Sequence, residues 1–161
     1  MLEIKEVDYS NPEQAQEMMD LLCEYALDPM GGATELASQT QNDLPKALAA
    51  LPNAYSFMAY VDSKPVGLIN TFEGFSTFKC KPLLNIHDVV VSKKYRGQGI
   101  SQAMLKTVEA FAKQKGCIKL TLEVLEGNLP AQDSYLKYGF SGYELDPKMG
   151  KALFWEKRID L

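Results

Sequence analysis

Ile100, Ala103, Met104, Thr107, Val108, Phe111 and Ala112 recur at i, i+3, i+4, i+7, i+8, i+11 and i+12. That spacing gathers them on one face of an amphipathic helix, which Lys113, Lys115 and then Gly116 bring to an end. A second helix is expected after Asn11-Pro12-Glu13-Gln14. There Asn suits the N-cap, Pro the first helical position, and Gln14 is placed to complete a capping box. Ala15, Met18, Met19, Leu22, Tyr25 and Ala26 follow at helical spacing as far as Gly31-Gly32. Shorter helices are expected at residues 45–51 and 130–138, the latter stopped by Gly139.

Period-two or β-branched runs predict strands at 2–7, 55–61, 65–75, 84–91, 118–124, 140–145 and 152–159. Asp62-Ser63-Lys64 joins two of them as a hairpin turn. The order βααβββαβαββ implies an α/β fold with a largely antiparallel sheet. The passage from residue 84 to 124, strand–helix–strand, supplies one parallel pair. With no repeat, low-complexity stretch or linker, the chain reads as a single domain over residues 1–161.

Composition narrows the function classes. Of 161 residues, 46% are hydrophobic and 24% charged, which is ordinary for a globular chain and argues against disorder. The longest uncharged run, 47–61, is broken by Pro52 and Asn53, so no membrane span is expected. Met1-Leu2-Glu3-Ile4-Lys5 lacks an apolar signal region, and a cytoplasmic location is expected. Cys23, Cys80 and Cys117 are odd in number and form no CxxC pair, which argues against a disulfide framework or zinc site. With His87 the lone histidine, sites needing several imidazoles drop out and no metal is expected. A net charge of −4 has the wrong sign for duplex binding, so no nucleic-acid partner is expected either.

The chemistry concentrates in Val89-Val90-Val91-Ser92-Lys93-Lys94-Tyr95-Arg96-Gly97-Gln98-Gly99-Ile100-Ser101. A strand runs into a basic turn, two glycines and the start of the strongest helix. Unpaired N–H groups at a helix N-terminus hold phosphate oxygens, and glycine lets the backbone come close. The turn is neither a GxxxxGK[ST] loop nor a dinucleotide fingerprint, which would need Gly where Gln102 stands. A tight turn that binds nothing is the competing reading.

Arg96-Gly97-Gln98-Gly99-Ile100-Ser101 resembles the (Q/R)xxGx(G/A) signature of GCN5-related N-acetyltransferases (GNAT). Ser101 stands where that pattern has Gly or Ala; it is small and can itself donate to a phosphate. Downstream, Asn128, Ala131, Tyr135, Gly139 and Phe140 fit the family's NxxAxxxYxxxGF segment without a gap. The resemblance extends from about residue 55 to 158, and is nearest in look to small-amine and polyamine acetyltransferases.

The resemblance implies a mixed, mostly antiparallel, twisted sheet, splayed between its central strands and flanked by helices. It implies acetyl-CoA as co-substrate, with pantetheine paired to the backbone of Val89, Val90 and Val91 like an added strand. The turn from Arg96 through Gly97, Gln98, Gly99, Ile100 and Ser101 to Gln102 would cradle the pyrophosphate. Asn128, with Ala131 beside it in the motif, would meet the pantetheine amides; Asn128 is also a good N-cap. Tyr135 would be the general acid for the leaving thiolate, against a packing role on a short amphipathic helix.

For the base the chain offers His87-Asp88 where amine acetyltransferases of the family often have Glu-Asp. Imidazole suits a base at neutral pH, and a hydrogen-bonded histidine at a strand edge is the alternative. On a regular strand His87 shares a face with Val89 while Asp88 points away, unless a bulge intervenes. Tyr25, Met30-Gly31-Gly32 and the stretch 71–78 are expected around the acceptor, with Glu24 and Glu73 as further carboxylates. The expected partner is a small-molecule amine, with a homodimer as a further expectation. A peptide or protein-lysine acetyltransferase, or an acetyl-CoA-binding sensor without turnover, are the alternatives.

Overall fold

Strand β2, Ala54–Val61, and strand β3, Lys64–Ser76, are apolar at consecutive positions because both faces of their hairpin are covered. Val66, Leu68, Ile69 and Thr71 are all buried. The two-residue turn between them holds Asp62 and Ser63 at positive φ, which matches the twist of the paired strands. β1, Leu2–Glu6, pairs antiparallel outside β2, and β4, Lys81–Val91, outside β3. β5, Leu120–Leu122, joins β4 in parallel, giving the order β1-β2-β3-β4-β5. This is the mixed, mostly antiparallel sheet that the sequence implies.

The coordinates are a computed structural model that describes residues 1–160; it falls into two compact units, Met1–Leu122 and Glu123–Leu161. Leu161, the last residue of the expected domain, lies outside the described residues.

In the first unit, helix α1, Pro12–Leu27, starts where expected, with Asn11 Oδ1 accepting from the N–H groups of Glu13 and Gln14. The capping box is altered: the Asn11 N–H donates to Asp8 O, and Gln14 Oε1 accepts from Asp8 N at 2.8 Å. Met18, Met19 and Leu21 of α1 form one core cluster with Met58, Leu68 and Val90 of the sheet. Helix α3, Ile100–Gln114, covers the other face, with the Phe111 ring tilted against Tyr55 at 4.8 Å and edge-on to Phe57 at 5.2 Å.

Helix α2 spans Ser38–Ala49, not 45–51, and carries Pro45 inside it. Its first turns, Ser38 to Asp43, are polar and show no apolar period, so proline was the wrong starting signal. β5 is likewise shorter than 118–124.

In the second unit, helix α4, Leu129–Tyr138, ends at Gly139 with φ +119°. The strands expected at 140–145 and 152–159 do not form: one bridge, Glu144 to Lys151, is the only pairing described there. Gly142, Pro147 and Gly150 interrupt the ribbon, and a lone pair of strands has too little to bury. Among the described residues, no helix is long and apolar enough to cross a membrane.

Candidate active site

The ladder between β4 and β5 runs only from Leu84–Leu120 to Ile86–Leu122. Among the described residues, His87 to Val91 therefore have no β5 partner, and that side of β4 offers backbone groups free of the ladder. Val90 anchors this stretch in the core; Val89 and Val91 are half-buried.

Just where the ladder ends, β4 bulges. Asn70 lies opposite Asp88 and Thr71 opposite Ile86, so His87 is an extra residue without a register partner. Asn70 and Phe72 share one face of β3. Asn70 Nδ2 donates to Asp88 Oδ2 at 3.0 Å, and the His87 ring meets Phe72 edge-on at 5.4 Å. Consecutive side chains thus reach the same face, where an unbulged strand would separate them.

Tyr25 of α1 lies within electrostatic reach of Asp88. Burial pushes its phenol up, with the charges of Asp88 and Asp28 adding to the shift, so it is protonated at neutral pH. His87, Asp88, Tyr25 and Phe72 bring together a carboxylate, an imidazole and two aromatic rings, a set able to receive an alkylammonium and take its proton. Glu24 is not part of it: its carboxylate accepts from Ser92 Oγ at 2.8 Å and Lys93 N at 3.2 Å, tying α1 to the turn after β4. Glu73 acts on Lys115 and Cys117 instead. Phe75 and Phe78 of the expected aromatic stretch are exposed.

The glycine turn follows. After a 3₁₀ turn at Lys93–Tyr95, Gly97 and Gly99 take φ of +76° and +79°, and Gly99 caps α3. A Cβ built on either glycine would meet nothing within 4 Å. These glycines are there for backbone conformation and for open space, not for packing. Gly99 provides no side-chain cap, and Ile100, buried, roots the helix while Ser101 and Gln102 continue its first turn. A helix start whose cap residue carries no side chain, under an open glycine arch, fits a pyrophosphate.

Arg96, expected at the phosphate, also has partners within the fold. Its Nε donates to Val91 O at 3.0 Å and its guanidinium pairs with Asp28 at 3.3 Å, so it braces the turn against α1. Gln98 Nε2 donates to Lys94 O at 3.4 Å.

In the second unit, Asn128 Oδ1 accepts from Ala131 N at 3.3 Å, so this pair forms the N-cap of α4. Tyr135 is half-buried, its ring edge-on to Phe140 at 5.9 Å. Burial raises the thiols of Cys23 and Cys117, which disfavours their nucleophilic thiolates.

Sequence reasoning missed Asn70. The signal was present: an amide inside the apolar run Val66 to Phe72, opposite another polar interruption, Ser56, in Tyr55-Ser56-Phe57.

A sequence model described as "Acetyltransferase (GNAT) family" matches residues 15–140. The chain is 40% identical over 65 residues to a thialysine N-epsilon-acetyltransferase of Bos taurus, covering 40% of this chain and 38% of that protein. It is 25% identical over 139 residues to N-acetyltransferase 8B of Homo sapiens, covering 84% of this chain and 59% of that one. The matched stretches thus span about two fifths to three fifths of these relatives' lengths. Among solved structures, an aminoglycoside acetyltransferase from an uncultured soil metagenomic sample, in complex with sisomicin, superimposes with a TM-score of 0.76 at 20% identity. That match covers 98% of this chain and 96% of the other, and it speaks for the fold.

Proposed function

The chain belongs to the GNAT family of acetyltransferases, and we propose that it is an acetyl-CoA-dependent N-acetyltransferase acting by direct transfer on a primary amine of a small molecule. The observation that carries this reading is the conjunction at the end of β4. A strand edge without a ladder partner leads through five residues, Ser92 to Arg96, into an open glycine arch on a helix N-terminus. Pantetheine would pair along Val89 to Val91, and the amides of the turn and first helical turn would hold the pyrophosphate.

An alkylamine titrates near about 10 and is mostly protonated at neutral pH, while only its free lone pair attacks a thioester. Asp88, half-buried and fixed by Asn70, is the base of this account: it attracts the ammonium and accepts its proton, directly or through water. The His87 and Phe72 rings lie edge-on to each other beside it, with the Tyr25 hydroxyl available to orient the amine. The attack forms the C–N bond, the C–S bond breaks, and the departing thiolate takes a proton. Tyr135 is the proposed donor, on the resemblance of the downstream motif.

The similarity to the thialysine enzyme supports a short aliphatic diamine as acceptor. Release of CoA thiol is the test, with thialysine, spermidine and a lysine-containing peptide as acceptors. Turnover with either small amine supports the reading. Turnover with the peptide alone makes the chain a protein-modifying enzyme, and acetyl-CoA binding without release makes it a binding module.

A further inference from the structure

Behind Asp88, Asn70 is the first member of a single file of polar groups that runs through the sheet. Asn70 Nδ2 donates to Asp88 Oδ2 at 3.0 Å; Ser56 Oγ donates to Asn70 Oδ1 at 2.6 Å; Tyr9 OH lies 2.7 Å from Ser56 Oγ. Ser56 and Asn70 are 1% and 4% exposed, so neither exchanges its partner for solvent. The direction of the file follows from chemistry. An ionised carboxylate only accepts, so the amide nitrogen of Asn70 faces Asp88 and its oxygen faces Ser56. The one hydroxyl proton of Ser56 is then committed to Asn70, and Tyr9 is left as donor to Ser56. Every donor in the file points towards Asp88.

We propose that Asn70, backed by Ser56 and Tyr9, is a positioning residue for the Asp88 carboxylate, holding it aimed at the amine. The inference rests on Asp88 being the base. An amide does not pass protons on as a hydroxyl does, so the file orients and polarises; it does not conduct. Its neighbours at the Asp88 end are the titratable groups His87 of β4 and Tyr25 of α1, the latter also under the charge of Asp28. At its other end Tyr9 lines a cleft of about 380 Å³ between α1 and α2, with Pro12, Met19, Gln41 and Lys46. A change at Tyr9 thus acts on the far end of the file, three side chains from Asp88.

The experiment is the pH profile of kcat/KM for the panel amine with the highest turnover, measured on Asn70→Asp, Ser56→Ala, Ser56→Thr and Tyr9→Phe. Losing one hydrogen bond to a charged group corresponds to about 10- to 100-fold in rate. Asn70→Asp keeps the shape but sets two carboxyls side by side, which share a proton, so the acid limb moves to higher pH. Ser56→Ala moves it less and lowers kcat with the KM for acetyl-CoA unchanged; Ser56→Thr restores the hydroxyl and the native profile. Tyr9→Phe, the mildest change and the one safest for folding, moves the limb in the same direction. Melting temperatures that fall while the acid limb stays at its native position in all of them overturn the proposal, reducing the file to packing. Asp88→Asn separates the two layers: a loss there with unmoved limbs in the others overturns only this inference, while native kcat in Asp88→Asn overturns the base assignment as well.

Discussion

Replacing Gly99 separates what the glycine turn does for the fold from what it does for a phosphate. Gly99 sits at φ +79°, ψ 11°, in the left-handed region, and an added Cβ would meet no atom within 4 Å. The cost of Gly99→Ala is then the conformational one alone, roughly 1–2 kcal/mol. For a chain of this length each kcal/mol lowers the melting temperature by about 2–4 °C, so the ligand-free variant should melt about 2–8 °C lower. Gly99→Glu carries the same strain, partly offset by about 0.3–1 kcal/mol of favourable charge at the start of α3. Its carboxylate, however, occupies the space and the amides offered to a pyrophosphate.

Acetyl-CoA at 100 times its Kd stabilises the native chain by about 2.7 kcal/mol, or roughly 5–11 °C. Gly99→Glu should melt close to Gly99→Ala without ligand and gain nothing from acetyl-CoA, with no heat of binding in calorimetry. Native affinity in Gly99→Glu would refute the phosphate reading of the turn. A fall in ligand-free melting temperature far beyond about 8 °C would refute the claim that the glycine is there for φ and open space alone.

Other perturbations test separate parts of the account. A Cβ at Gly67 would lie 2.8 Å from Met104 Cε and 3.2 Å from Val90 O, so Gly67→Ala should destabilise by about 1–3 kcal/mol in thermal melts; an unchanged melting temperature contradicts the packing of α3 on β3. The Asp28 carboxyl is held below the usual carboxylate range, first by the Met30 N–H and then by Arg96. It therefore stabilises the fold at neutral pH and loses that contribution as pH falls through its lowered value. Asp28→Asn should flatten stability on the acid side, and a denaturant series below about pH 5 that parallels the native chain contradicts it. Tyr135→Phe should lower kcat by about 10- to 10⁴-fold with acetyl-CoA affinity unchanged; native turnover reduces Tyr135 to a packing residue beside Phe140.

How much of this could be read from the sequence depended on whether a signal was local. The α3 periodicity and the Asn11 cap are set within a few residues, and both stand in the structure. The polar turns that open α2 have no apolar period of their own, because Leu44 and Leu48 suffice to pack it, and so its start was misplaced. The stretches 140–145 and 152–159 alternate like strands, but a strand also requires a neighbour, and alternation does not say whether one is there. The glycine turn was legible because positive φ selects glycine. The placement of Asp88 was not, because a bulge is a property of two strands in register, and His87-Asp88 alone cannot show which residue Asn70 will oppose. The ion pair of Arg96 was not legible either, because Asp28 is far away in the chain and 3.3 Å away only in space.

The most direct test of the account is to mix the chain with acetyl-CoA and thialysine or spermidine, then count products by mass spectrometry. The account predicts one N-acetylated amine for each CoA thiol released, with release falling by about 10²- to 10⁴-fold in Asp88→Asn. Acetyl-CoA that binds and is recovered intact with every amine of the panel would contradict it.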